Sequence, residues 1–213
     1  TEIRCVKKPN SIGRGYDGTT DGSMISITLW FTTDGTDEIE LNEKTDFTAV
    51  KTFDSADAGD HTVTVEITLI GDAAEKYKLG EGEERFTIDG TINQAVPKLT
   101  VSLSKTACTT GEKLLPLLSV EGAPEGSTVT YYYTPIPSSV YDDTFASLNV
   151  EIDEDTAIDE IDETRNTYYI FARSTETKNY TATSSETVAF TVSESVSPTA
   201  AVIKAGTSEE VGY

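Results

Sequence analysis

The chain has 213 residues, with 16 basic and 37 acidic side chains for a formal net charge of −21. The excess is shared: 9 basic and 19 acidic residues lie up to Val96, and 7 and 18 lie beyond it. Neither half carries the basic face that nucleic-acid binding requires, and the same charge disfavours contact with an anionic membrane.

The length suits two domains of roughly 100 residues each, and a hydrophobic share of 37% is enough for two thin cores. No run approaches the ~20 apolar residues of a membrane span, and the first residues lack the basic-then-apolar order of a signal peptide. An export signal or wall anchor is therefore expected outside this sequence.

In chain order, Ile3 and Cys5 alternate with polar neighbours as an opening strand. Tyr16-Asp17-Gly18-Thr19-Thr20 is turn chemistry: glycine accepts positive φ, and the Asp17 side chain can bond a backbone amide two residues on. Residues 24–31 are predicted as one long strand, Asp34-Gly35 as a hairpin turn, and residues 38–41 as its return. A short strand follows at 47–50. The clearest alternation is 61–69, where Val63, Val65, Ile67 and Leu69 share one face. Residues 77–79 and 85–88 close the unit, with Gly90 marking a bulge or a close approach inside the last strand.

Tyr16-Asp17-Gly18-Thr19-Thr20 then acquires a second meaning, together with Phe53-Asp54-Ser55-Ala56-Asp57-Ala58-Gly59, the strand from Val63 to Leu69, Gly71-Asp72-Ala73-Ala74, Tyr77-Lys78-Leu79 and Gly90-Thr91-Ile92. In this order, over about residues 8–93, they resemble the YDG domain of bacterial surface proteins, an immunoglobulin-like or related β-sandwich repeat. Glu75-Lys76 departs from the family pattern, in which Asn commonly precedes the Tyr, and residues 23–45 are particular to this chain. A binding role tied to that hairpin does not carry over.

Pro97 ends a short linker at 93–97 and stiffens it by fixing φ, which sets the modules in series. Residues 98–103 alternate, 114–118 are predicted as an edge strand, and 128–133, 167–173 and 187–192 as further strands. This unit resembles the Ig-like repeats that follow such domains in Gram-positive surface proteins, with Asn179-Tyr180 and Phe190-Thr191-Val192 as the nearest local matches. The expected architecture is all-β: two tandem immunoglobulin-like β-sandwich domains at 1–95 and 96–196, and a tail or further repeat at 197–213.

Catalysis lacks its usual parts. His61 is the sole histidine, it opens a strand, and no nucleophile-elbow sequence accompanies it. It reads as a solvent-facing or rim residue. Phosphate-cradling glycine loops and cysteine-histidine zinc spacings are missing. Acid pairs at glycosidase separation mean little without a cleft when 37 acids are present. No cofactor is expected.

Eight acids and no base occupy the thirteen positions 151–163. Calcium takes six to eight oxygens, which makes Asp153, Asp155, Asp159 and Asp162 its candidate ligands, but EF-hand spacing and its glycine are absent. The competing reading is a solvated loop or single helical turn pinned by Ile158 and Ile161. Trp30 with Tyr131 and Tyr133 forms the candidate ligand set, as an aromatic platform for sugar rings. Alternation opposes this by turning Tyr132 away from its two neighbours, and a lone Trp in an Ig-like strand is usually core.

Cys5 and Cys108 are read as unpaired core residues, since a bridge would need their Cα atoms within about 7 Å; they leave the redox compartment open. Some Gram-positive surface domains carry a Lys-to-Asn cross-link, for which Lys7 and Lys51 qualify by residue type alone.

These readings converge on a non-enzymatic tandem module of a bacterial cell-surface protein, extracellular or wall-borne, acting as stalk, spacer or adhesion segment. Strands at about 3.3 Å per residue make each module roughly 30 Å long. The expected partners are neighbouring domains of the same protein and a host or cell-wall glycan or protein. The rival reading is a carbohydrate-binding module of a glycan-active surface protein, which requires an exposed aromatic patch.

Overall fold

The computed structural model describes residues 1–137, 148–159 and 166–194. Contacts divide the chain into two compact units. The first comprises Thr1–Thr100, Glu121–Thr130 and Ala172–Ser185, and the second the described residues of Val101–Val120, Tyr131–Phe171 and Glu186–Tyr213.

The first unit opens with β1 (Glu2–Lys7), β2 (Ser11–Gly15), β3 (Thr28–Thr32), β4 (Ile39–Asn42), β5 (Phe47–Phe53) and β6 (Gly59–Leu69). A short helix α1 (Gly71–Lys76), β7 (Lys78–Leu79) and β8 (Arg85–Asn93) follow. They form two four-stranded sheets, β4-β3-β1-β7 and β2-β8-β6-β5. Ile3, Leu29, Phe31 and Leu41 from one sheet meet Phe47, Phe53, Val63, Val65, Ile67 and Ile92 from the other in a single buried cluster. Period-two alternation produces this: Val63 and Val65 are fully buried while Glu66 between them and Ile67 faces out. The all-β class and the sandwich reading of this unit are therefore observed.

Gly90 marks a close approach with no break in register, since β6 and β8 pair evenly from Gly59↔Ile92 to Glu66↔Arg85. A Cβ there would collide with the Val63 side chain and stand 2.7 Å from Phe53 Cε1. Only glycine lets β8 lie this close to the core.

Two predicted strands are corrected. Residues 24–31 do not run as one strand, because β3 begins at Thr28. Asp21 Oδ1 accepts the Ser23 amide at 2.8 Å, and Gly22 O accepts the Ile25 amide at 3.1 Å. This turn leaves Met24 93% exposed. At 114–118 the chain forms a 3-10 turn over Leu115–Leu117, with Pro116 in its first turn, where a missing N–H is harmless. The six-residue helix α1 was not anticipated; Ala73 is its one buried residue.

The remaining strands are β9 (Thr100–Leu103), β10 (Ala107–Thr109), β11 (Leu118–Glu121), β12 (Val129–Thr134), β13 (Val150–Ile152), β14 (Thr167–Ser174), β15 (Thr183–Ser184) and β16 (Val188–Ser193). They pair as β10-β16-β14-β12-β13, with β15 on β14, and as β11-β9. Ile170, Phe171, Phe190 and Val192 are buried along this sheet, and Tyr132 stacks on Phe171 with ring centroids 5.3 Å apart. The expected tail at 197–213 lies outside the described residues.

Candidate functional site

The Tyr16-Asp17-Gly18-Thr19-Thr20 corner is built as its residue types dictate. Gly18 takes φ +78°, and Asp17 Oδ1 accepts both the Thr19 amide at 2.9 Å and the Thr19 hydroxyl at 2.8 Å. Arg14, from β2, pairs with the same carboxylate, donates to Thr19 O, and rests its guanidinium 5.1 Å from the Phe53 ring centroid. The Thr19 hydroxyl and amide, then Arg14, lower the Asp17 carboxyl to about 2. The Tyr16 amide bonds Asn93 O at 2.8 Å, which ties the corner to the end of β8.

Beside this corner the first unit gathers groups far apart in sequence. Asn179 Oδ1 accepts the Ala58 amide at 2.8 Å while its Nδ2 donates to Asp57 Oδ1 at 3.1 Å. Lys178 Nζ reaches Asp57 Oδ2 at 2.6 Å. Gln94 Nε2 donates to Glu176 Oε1 and Thr177 O, both at 2.8 Å. The backbone of Ala95 completes a reciprocal pair with Asn179 O and the Thr181 amide, each at 3.0 Å. The Tyr16 and Tyr180 rings meet edge to face at 5.3 Å. Residues 176–181 thus clasp the end of the first sandwich through charged, neutral and aromatic contacts at once.

His61 braces the same loop from inside. Its Nδ1 lies 2.8 Å from Asp54 Oδ1 and its Nε2 2.7 Å from Asp57 O, with the side chain 10% exposed. The only histidine is thus a loop strut with both ring nitrogens engaged. The Asp54 carboxyl is held below its ordinary value by the Thr62 amide and then by His61, and that of Asp57 by Lys178 and then Asn179.

Trp30 is half-buried on β3. A bulge in β1 between Cys5 and Lys7 sets Lys7 opposite Trp30, with its Nζ 4.7 Å from the ring centroid. The two residues border a shallow groove of about 550 Å³ that also takes in Lys8, Asn10, Ser26 and Thr28. Phe31, the next residue, is fully buried. Tyr131 and Tyr133, in the second unit, are half-buried on β12, and burial raises both phenols. Tyr133 packs edge-on against Tyr168 at 6.1 Å.

The described part of the acidic run follows β13 as a loop over 153–159 fastened to the second unit. Asp153 Oδ1 accepts the Thr156 hydroxyl at 2.6 Å and the Asp155 amide at 3.0 Å, which lowers its carboxyl. Lys113 Nζ lies 3.3 Å from Asp155 Oδ1. Leu114 N donates to Thr156 O and Gly111 N to Ile158 O, both at 3.0 Å, which seats Ile158 in the interior. Asp159 is exposed, and Asp162 lies outside the described residues, as does Ile161. Among the described residues no three acidic, histidine or cysteine side chains converge as metal ligands.

One ion pair escaped sequence reading. Lys51 is 1% exposed, and its Nζ sits 2.5 Å from Glu43 Oε1, whose side chain is 7% exposed. The turn at 21–27 closes over the pair: Gly22 N bonds Lys51 O at 2.8 Å and Ile27 N bonds Glu43 Oε2 at 2.9 Å. Burying two charges is tolerable only with such partners. Cys5 and Cys108 are both free thiols, half-buried and buried respectively.

Residues 5–84 match the model of the YDG domain family. No curated protein matches the sequence. Among solved structures, the crystal structure of Drosophila N-cadherin EC1-3 is similar at 8% identity and a TM-score of 0.30, covering 91% of this chain and 68% of its own. That of Drosophila N-cadherin EC1-4 is similar at 11% identity and a TM-score of 0.29, covering 90% of this chain and 50% of its own.

Proposed function

We propose that the protein is a non-enzymatic module of a bacterial cell-surface protein that serves as a stalk or spacer, a reading supported by the match of residues 5–84 to the YDG domain model within an all-β chain. The clasp of residues 176–181 on Asp57, Ala58, Gln94 and Ala95 carries this reading. A spacer must hold its shape along its length, and the clasp fixes residues 176–181 to the rest of the first unit, to which they belong. Here seven polar contacts and an aromatic pair tie segments more than 80 positions apart.

The chemistry of the same region supports a structural role. Asp54, Asp57 and His61, which in another setting could be an acid-base cluster, are each committed to loop amides, a carbonyl or the clasp. The partners in this reading are neighbouring domains of the same protein and wall or host molecules at its distal end. Labelling intact bacteria that produce the protein with antibodies raised against this chain tests the location. Signal on unpermeabilised cells is the expected result, and signal only after permeabilisation would overturn the proposal.

A further inference from the structure

The groove beside Trp30 stands apart from the electrostatics of the rest of the molecule. The chain carries 37 acids against 16 bases, yet among the described residues that line this groove there are two lysines and no acid. Lys7 and Lys8 are exposed, and neither forms an ion pair among the described residues; Lys44, Lys76 and Lys98 form none there either, but only Lys7 and Lys8 are adjacent and share one groove. Instead, Lys7 Nζ lies over Trp30 at 4.7 Å and Lys8 Nζ over Phe86 at 4.3 Å. Two cations are thus held on aromatic surfaces with no acid lining the groove itself, Asp89 lying in the adjoining hollow, beside an indole and the polar side chains of Asn10, Ser26 and Thr28.

We infer that this groove binds an acidic sugar residue at the end of an otherwise neutral glycan. Each part of the ligand follows from a part of the site. The apolar face of a pyranose ring matches the indole, the hydroxyls match Asn10, Ser26 and Thr28, and a carboxylate replaces the missing counter-ion of Lys7 and Lys8. The net charge of −21 limits the ligand to one or few negative charges, because a polyanion is repelled by the remaining surface. That distinguishes an acidic sugar terminus from a nucleic acid strand, which an aromatic ring flanked by lysines would otherwise also suit. The inference does not depend on the spacer reading.

The test is titration of the whole chain with a glucuronic-acid-terminated disaccharide, its glucose-terminated counterpart and a short single-stranded oligonucleotide, followed by amide shifts in NMR. The acidic disaccharide is expected to move the amides of Lys8, Asn10, Ser26 and Thr28 and to bind about ten-fold more tightly than the neutral one, as a charge-assisted contact implies. In a Lys7→Ser/Lys8→Ser variant, whose exposed side chains leave the core intact, the two disaccharides should bind alike. Shifts elsewhere, equal binding of both sugars to the native chain, a preference that survives the double variant, or tighter binding of the oligonucleotide would each overturn the proposal.

Discussion

Asn179 grips two consecutive residues of a loop 121 and 122 positions away: its carbonyl oxygen takes the Ala58 amide at 2.8 Å and its amide nitrogen donates to Asp57 at 3.1 Å. A carboxamide supplies a donor and an acceptor in this spacing without charge, and Asn carries it on a stem one methylene shorter than that of Gln. Asn179→Ala is expected to destabilise the first unit by about 1–2 kcal/mol, the worth of two modest hydrogen bonds. Asn179→Asp should be worse at neutral pH, because it sets a carboxylate against Asp57. Thermal denaturation of the three proteins side by side checks the order.

The clasp and the corner should both weaken in acid. Asp17, Asp54 and Asp57 have folded values below the unfolded carboxylate value of about 3.9, with Asp17 at about 2. A depressed carboxylate stabilises the fold above its unfolded pKa, and that contribution is lost as pH falls through the folded value. Melting temperature should therefore hold down to about pH 4 and drop towards pH 2. Asp57→Asn should start lower and show a shallower drop, as measured by a pH series of melts.

Lys51 and Glu43 form a pair whose halves are worth little separately. Removing one partner, as in Glu43→Gln or Lys51→Met, is expected to cost about 3–5 kcal/mol because it strands a buried charge. Replacing both together, Lys51→Met/Glu43→Leu, should recover most of that loss. Because Lys51 Nζ is bonded to Glu43, no ammonia should be lost at Lys51, which the mass of the peptide that contains it checks.

Gly90→Ala offers a test of the core itself. The added methyl would meet Val63 and Phe53 where β8 crosses them, so about 1–3 kcal/mol should be lost by overpacking. Gly13→Ala on the neighbouring β2, whose Cβ would lie 3.4 Å from Thr91 O, should cost less. Denaturant midpoints of the two variants decide it.

Local chemistry was legible in the sequence, and long-range placement was not. The alternation at 61–69, the Asp17 turn and the tightness around Gly90 each depend on neighbouring residues, and each stands as read. The inner face of β5 does not: Val50 is 63% exposed while Lys51 beside it is buried. Hydropathy assigns these two the other way round, and only Glu43, eight positions back and brought alongside by the fold, reverses them. The turn at 21–27 was hidden for the same reason, since its Gly22 and Ile27 amides bond the two residues of this pair. Residues 176–181 carry nothing locally that names Asp57 or Gln94 as their partners. The Trp30 groove was half legible: the aromatic residue was evident, but the bulge that brings Lys7 over it was not.

Backbone ¹⁵N relaxation on the whole chain tests the clasp most directly. The amides of Lys178, Asn179 and Thr181 are expected to be as ordered as those of Ala58 and Ala95, with order parameters near the ~0.85 of rigid backbone, and to loosen in Asp57→Ala. Order parameters below about 0.6 at these three residues in the unaltered protein would contradict the account.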